Sequence, residues 1–157
     1  MTHPENDSRQ LCTFFVAGHL FGIDVRTVQE VIRYQPMTPV PLAPSAVQGL
    51  INLRGQIVTA IDLRRSLGLP DRAEAELPMN VVARHDEGPV SLLVDEIGDV
   101  VEVSGESFEP PPVNLNENSR ALIEGVYKLE TQLLLLLNTE RALRVDIPRR
   151  TEGNDHV

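Results

Sequence analysis

The apolar residues of this chain fall into short runs separated by turn-forming segments, and the spacing within each run predicts its element. From Leu11 to Ile23 the residues are β-branched, aromatic and aliphatic, broken at Ala17-Gly18-His19. That predicts an antiparallel hairpin around a tight turn. From Asp24 to Tyr34 the period changes: Val25, Val28, Val31 and Ile32 recur at three and four, with Asp24 placed to cap an N-terminus. A short amphipathic helix is expected there. Pro36, Pro39, Pro41 and Pro44 then remove amide donors at close spacing, which makes a stiff, extended connector.

Two further β-rich runs span Gly49 to Asp62 and meet at Arg54-Gly55, where glycine tolerates the positive φ of a hairpin turn. Leu63 to Leu69 suits one helical turn, and Pro70 to Pro78 is an acidic loop. Met79–Ala83 and Val90–Val94 read as a third hairpin around Asp86-Glu87-Gly88-Pro89. Val100 to Val103 is strand-like, Glu109 to Asn118 is a proline- and asparagine-rich loop, and Ala121–Lys128 with Gln132–Leu137 form a last strand pair before a short helix.

The chain also echoes itself. Shifted by 76 residues (49 to 125), Gly49-Leu-Ile-Asn-Leu falls on Gly125-Val-Tyr-Lys-Leu, Gln56-Ile-Val on Gln132-Leu-Leu, Ile61-Asp62 on Leu137-Asn138, and Arg65 and Leu67 on Arg141 and Leu143. Shifted by 72 (24 to 96), Asp24, Val25, Val28, Glu30 and Val31 fall on Glu96, Ile97, Val100, Glu102 and Val103. The expected architecture is two similar units of closed antiparallel sheet, which removes exposed strand edges.

Composition narrows the function. At 157 residues with 41% hydrophobic and 24% charged positions, the chain supports an ordinary packed core. Cys12 is the only cysteine, so no internal disulfide forms, and the polar start shows no secretory signal. The cytoplasm is the expected compartment. Apolar stretches such as Gln132 to Leu137 fall far short of the ~20 residues that span a bilayer, so no membrane insertion is expected. A net charge of −9 repels phosphate backbones, which argues against nucleic acid as a partner.

Chemistry-bearing groups are sparse. His85-Asp86-Glu87 sits in a predicted turn, Cys12 lies among apolar strand residues, and no His/Cys/carboxylate spacing indicates a metal. There is no phosphate-cradling glycine loop. No catalytic residue, metal or cofactor is expected. Glu109-Pro-Pro-Pro112 suits a stiff loop or a polyproline ligand.

Four spaced blocks carry a resemblance. Phe21-Gly-Ile-Asp24, Val28-Gln-Glu-Val31, Gly49-Leu-Ile-Asn-Leu-Arg-Gly55 and Ile61-Asp-Leu-Arg64 resemble the signature of the CheW family of chemotaxis coupling proteins and of the CheW-like domain of CheA kinases. The likeness continues through Leu92–Val100 and Gly125-Val126; it departs at Thr59-Ala60, where the family usually carries proline and an aliphatic residue.

The resemblance implies an all-β fold with a few short helices, two five-stranded SH3-like β-barrels packed around a shared hydrophobic core. Residues 10–147 would form that single domain, between disordered tails at 1–9 and 148–157. It implies an adaptor without enzymatic activity. One surface would bind the cytoplasmic helical hairpin tip of a chemoreceptor, another the regulatory domain of a CheA-type histidine kinase. The protein would then work at the inner face of the membrane in receptor arrays. The matched positions place the coupling surface at Val28, Glu30, Gly49, Asn52 and Arg54. Val28 suits either core or a receptor contact, Gly49 suits a backbone requirement, and Asn52 suits either role. Glu30, on the expected helix, and Arg54, on the second hairpin tip, are expected to pair across the junction of the two units. A small barrel binding a ligand in its interior is the competing reading, disfavoured by six aromatic residues and no tryptophan.

Overall fold

The computed structural model describes residues 8–144. The expected tails and residues 145–147 lie outside these, save Ser8 and Arg9, and Arg9, assigned to the N-terminal tail, already pairs with Val103 in the first strand. In chain order the strands are β1 (Arg9–Val16), β2 (His19–Asp24), β3 (Val28–Ile32), β4 (Val47–Leu53), β5 (Gln56–Asp62), β6 (Met79–Ala83), β7 (Val90–Val94), β8 (Glu96–Val103), β9 (Phe108–Glu109), β10 (Ile123–Lys128) and β11 (Leu133–Leu137). Short helices α1 (Leu63–Ser66), α2 (Glu117–Leu122) and α3 (Thr139–Ala142) sit between or after them.

Two expectations are corrected. The segment from Asp24 to Tyr34 is not a helix: a 3₁₀ turn at Val25–Thr27 leads into β3. Its valines and isoleucine are stiff, β-branched residues, and β6 offers them a ladder that a lone helical turn could not match. Along β3 the burial alternates with period two, half-buried at Val28, Glu30 and Ile32. The polar end of the 109–118 loop also orders, because Asn116 accepts the Ser119 N–H at 2.7 Å and caps α2.

The strands form a six-stranded sheet, β8-β1-β2-β11-β10-β9, and a five-stranded sheet, β3-β6-β7-β5-β4. The sixth strand is the two-residue β9. Both sheets follow one plan: an edge strand, a hairpin, a parallel contact (β2 with β11, β7 with β5) and a second hairpin. The repeat read from the sequence is therefore structural. A shift of 76 carries β4–β5–α1 onto β10–β11–α3 and matches their details. Asp62 caps α1 and Asn138 caps α3, while Arg65 donates to Ser45 O and Arg141 to Ala121 O, each at 3.0 Å.

The units are exchanged. The hairpin β1–β2, early in the chain, completes the sheet of β8, β10 and β11, and β6–β7 completes the sheet of β3, β4 and β5. Each sheet then rolls up in the same way. After β3 the connector returns to pair Thr38 with Leu50 on β4, and after β8 the chain returns as β9 to pair with Val126 and Tyr127 on β10. Both interiors are filled, one by Leu11, Leu20, Val103, Tyr127, Leu134 and Leu136, the other by Ile51, Leu53, Val58, Ala60, Val82 and Leu93. Phe14, Phe21 and Ile23 from one sheet meet Ile61, Val81 and Leu92 from the other in a third, shared core.

Candidate interaction surface

The structure brings Glu30, Asn52 and Arg54 to one rim. Arg54 and Gly55 form the tip of the β4–β5 hairpin with φ of 50° and 89°, so both turn residues are left-handed, as a tight two-residue hairpin requires. Asn52 locks that turn by accepting the Gly55 N–H at 2.9 Å. The Arg54 guanidinium donates to the Glu30 carboxylate on β3. The expected pair is therefore present, but it does not bridge the two units. β3 and β4 are the two edges of the same five-stranded sheet, so the pair closes one barrel on itself. It is an exposed contact, with side-chain exposures of 69% for Arg54 and 24% for Glu30. Such pairs contribute ~0–1 kcal/mol, so its consequence is the shape and charge of the rim.

Val28 and Gly49 sit deeper. Val28 is half-buried, packed with Ile97 against the shared core, and its carbonyl accepts from Arg84 Nη1 at 2.9 Å. Gly49 is buried under the returning connector: a Cβ there would lie 2.8 Å from Thr38 O and 3.0 Å from Met37 Cβ. The glycine is a requirement of barrel closure. Apolar exposure next to Asn52 comes from Ile57, its cross-strand neighbour, while Val31 is exposed on the other side of β3 from Glu30.

At the start of this region Asp24 accepts the backbone and side-chain N–H groups of Arg26. That hydrogen bonding outweighs desolvation and holds the Asp24 carboxyl down at about 2. The turn entering β3 is thereby fixed at its N-terminal end.

A charge network absent from the sequence reading lies where the chain crosses between sheets. Asp95, the single residue between β7 and β8, accepts Ala17 N at 2.7 Å, Arg64 at 2.7 and 3.1 Å, and Arg72 at 2.9 and 3.1 Å. Arg72 reaches in from the acidic loop and also donates to Asp62 at 3.3 Å, with both side chains under a tenth exposed. Burial pushes the Asp95 carboxyl up, but Arg64, the Ala17 amide and Arg72 together hold it below its ordinary value. The readable signal was a carboxylate ending each of two buried runs, Thr59–Asp62 and Val90–Asp95, in a chain whose cations are almost all arginine.

The remaining reactive groups are placed for structure. His85 Nδ1 accepts the Glu87 N–H within its turn, and burial raises the Cys12 thiol. Among the described residues no group of three or more His, Cys, Asp or Glu is arranged to hold a metal, and no helix is long and apolar enough to cross a membrane. An open groove of about 500 Å³ is lined by Leu20, Phe21, Leu69, Leu115 and Leu135 among others.

Comparison with known proteins gives one answer. The family model described as CheW-like domain matches residues 10–146. Chemotaxis protein CheW of Rhizobium meliloti is 30% identical over 138 residues, covering 88% of this chain and 89% of that protein. Chemotaxis protein CheW of Bacillus subtilis is 29% identical over 143 residues, covering 91% and 92%. Among solved structures, the scaffolding protein TtCheW from Thermoanaerobacter tengcongensis superposes with a TM-score of 0.74 at 28% identity, covering 83% of this chain and 88% of that one.

Proposed function

The chain belongs to the CheW-like family, and from that membership we propose that it is a coupling adaptor, joining the cytoplasmic hairpin tips of chemoreceptors to the regulatory domain of a CheA-type histidine kinase. The observation that carries this reading to particular residues is the Glu30–Arg54 rim. A charged pair on the hairpin tip that Asn52 holds, with exposed Ile57 across the strand from Asn52, is a preformed surface of mixed character. Such surfaces suit an amphipathic helical partner, which docks through a few apolar anchors and takes its register from charges.

The role needs no reaction within the chain. Filled barrel interiors support binding by the outer surface over binding of a small ligand inside. The adaptor works in the cytoplasm and is held at the inner face of the membrane by the receptors it binds. Sedimentation of receptor-bearing vesicles with kinase, with and without this chain, tests the reading. The chain is expected to pellet with the vesicles and to bring kinase down with it; kinase sedimentation independent of the chain would count against an adaptor.

A further inference from the structure

β3 enters its sheet irregularly. Val28 lies opposite Ala83 and Glu30 opposite Val82, so Gln29 is an extra residue with no partner, a β-bulge at the start of an edge strand. Bulges re-aim the side chains beside them but forfeit ladder hydrogen bonds, which leaves such a start prone to fray. Here one residue replaces the lost support. The Arg84 backbone N–H donates to Thr27 O at 2.8 Å, and its Nη1 donates to both Arg26 O at 3.0 Å and Val28 O at 2.9 Å.

Three successive carbonyls thus end on Arg84. Its guanidinium takes part in none of the ion pairs among the described residues, although the molecule is strongly acidic. Its fork is used on backbone oxygens, where a guanidinium can satisfy two acceptors from one nitrogen. With Asp24 capping the turn from the other side, the Val25–Thr27 segment is clamped at both ends.

We propose that Arg84 is the positioning residue of the coupling surface: it holds the bulged start of β3 in the geometry that presents Glu30 to the receptor helix, without touching that helix itself. This rests on the coupling reading above. It adds a residue that no sequence block of the resemblance contains.

The test compares Arg84→Met, which keeps the stem and loses the donors, with Arg84→Lys, which keeps a charge and a donor. Each variant is titrated with a soluble chemoreceptor hairpin-tip fragment at about 0.05 and 0.5 M salt, a range that separates screened charge contacts from geometry. Amide exchange at Gln29, Glu30 and Val31 is followed in the free chain, with the melting temperature as a control. Arg84→Met is expected to bind about tenfold more weakly at both salt concentrations, the scale of one or two hydrogen bonds. Exchange should quicken at those three amides alone, and Arg84→Lys should restore most of the affinity. Unchanged binding by Arg84→Met, a loss that vanishes at high salt, or global unfolding would each overturn the assignment. If the unaltered chain fails to bind the fragment, the coupling reading falls, and local exchange still decides whether Arg84 holds β3.

Discussion

Gly49 and Gly125 occupy the same place in the two barrels, 76 residues apart, each directly beneath the segment that returns to close its sheet. Thr38 O and Met37 Cβ cover Gly49; the Phe108 ring and Glu109 O cover Gly125. On the second barrel Phe108 continues onto Tyr127, with ring centroids 5.0 Å apart. Closure in both units depends on a position without a side chain.

Gly125→Ala and Gly49→Ala are therefore each expected to destabilise the fold by about 1–3 kcal/mol, the cost of forcing a methyl group into a packed site. Urea denaturation gives the value. Gly125→Ala should cost more, because its Cβ would meet both a ring and a carbonyl. A neutral result at both positions would mean that the closing segments lift away without penalty.

Arg72→Met should be among the most destabilising changes of a charged residue. It strands Asp62 in a site where the side chain is 7% exposed, and breaking a buried pair from one side costs about 3–5 kcal/mol. Arg65→Met removes a contact to Asp71, whose side chain is 61% exposed, and a bond to Ser45 O, and should cost about 1 kcal/mol. Denaturant midpoints of the two variants decide; equal losses would show that water relieves Asp62.

Acid sensitivity follows from Asp24 and Asp95. Both carboxyls lie below the unfolded value of about 3.9, so folding favours their ionised forms. Their contribution is complete at neutral pH and above the unfolded value, and it is lost as the pH falls, for Asp24 through about 2. Between about pH 5 and 2 the stability of Asp24→Asn and Asp95→Asn should fall less steeply than that of the unaltered chain. Parallel curves would refute the assignment.

Much of this fold was readable because its strands are short, apolar and separated by turn chemistry. The Arg54-Gly55 hairpin and the repeat over Gly49–Leu67 and Gly125–Leu143 appear in the structure as read. The segment around Val28 reads as a helix because Val25, Val28, Val31 and Ile32 satisfy a helical period, whereas in the structure Val25 belongs to the 3₁₀ turn and only Val28 and Ile32 of the four lie on the half-buried side of β3. Only the partner strand β6 separates those readings. The strand exchange was hidden for a related reason. A repeat identifies equivalent elements, but not which copy's hairpin completes which sheet, since that choice is made by the shared core of Phe14, Ile61 and their neighbours. Glu30 and Arg54 were found as a pair and misplaced as a bridge between units, because sheet order rather than sequence spacing makes β3 and β4 the two edges of one barrel.

The coupling surface itself is tested most directly by isothermal titration of a chemoreceptor hairpin-tip fragment into the unaltered chain, Arg54→Glu, and the charge-swapped double variant Glu30→Arg/Arg54→Glu. The Glu30–Arg54 rim predicts binding by the unaltered chain and a loss of about tenfold or more in Arg54→Glu, with the melting temperature nearly unchanged because the exposed pair contributes ~0–1 kcal/mol. In the double variant the rim geometry returns with its charges exchanged, so only part of the affinity should return. Equal affinity of all three proteins, or a collapse of the Arg54→Glu fold, would contradict it.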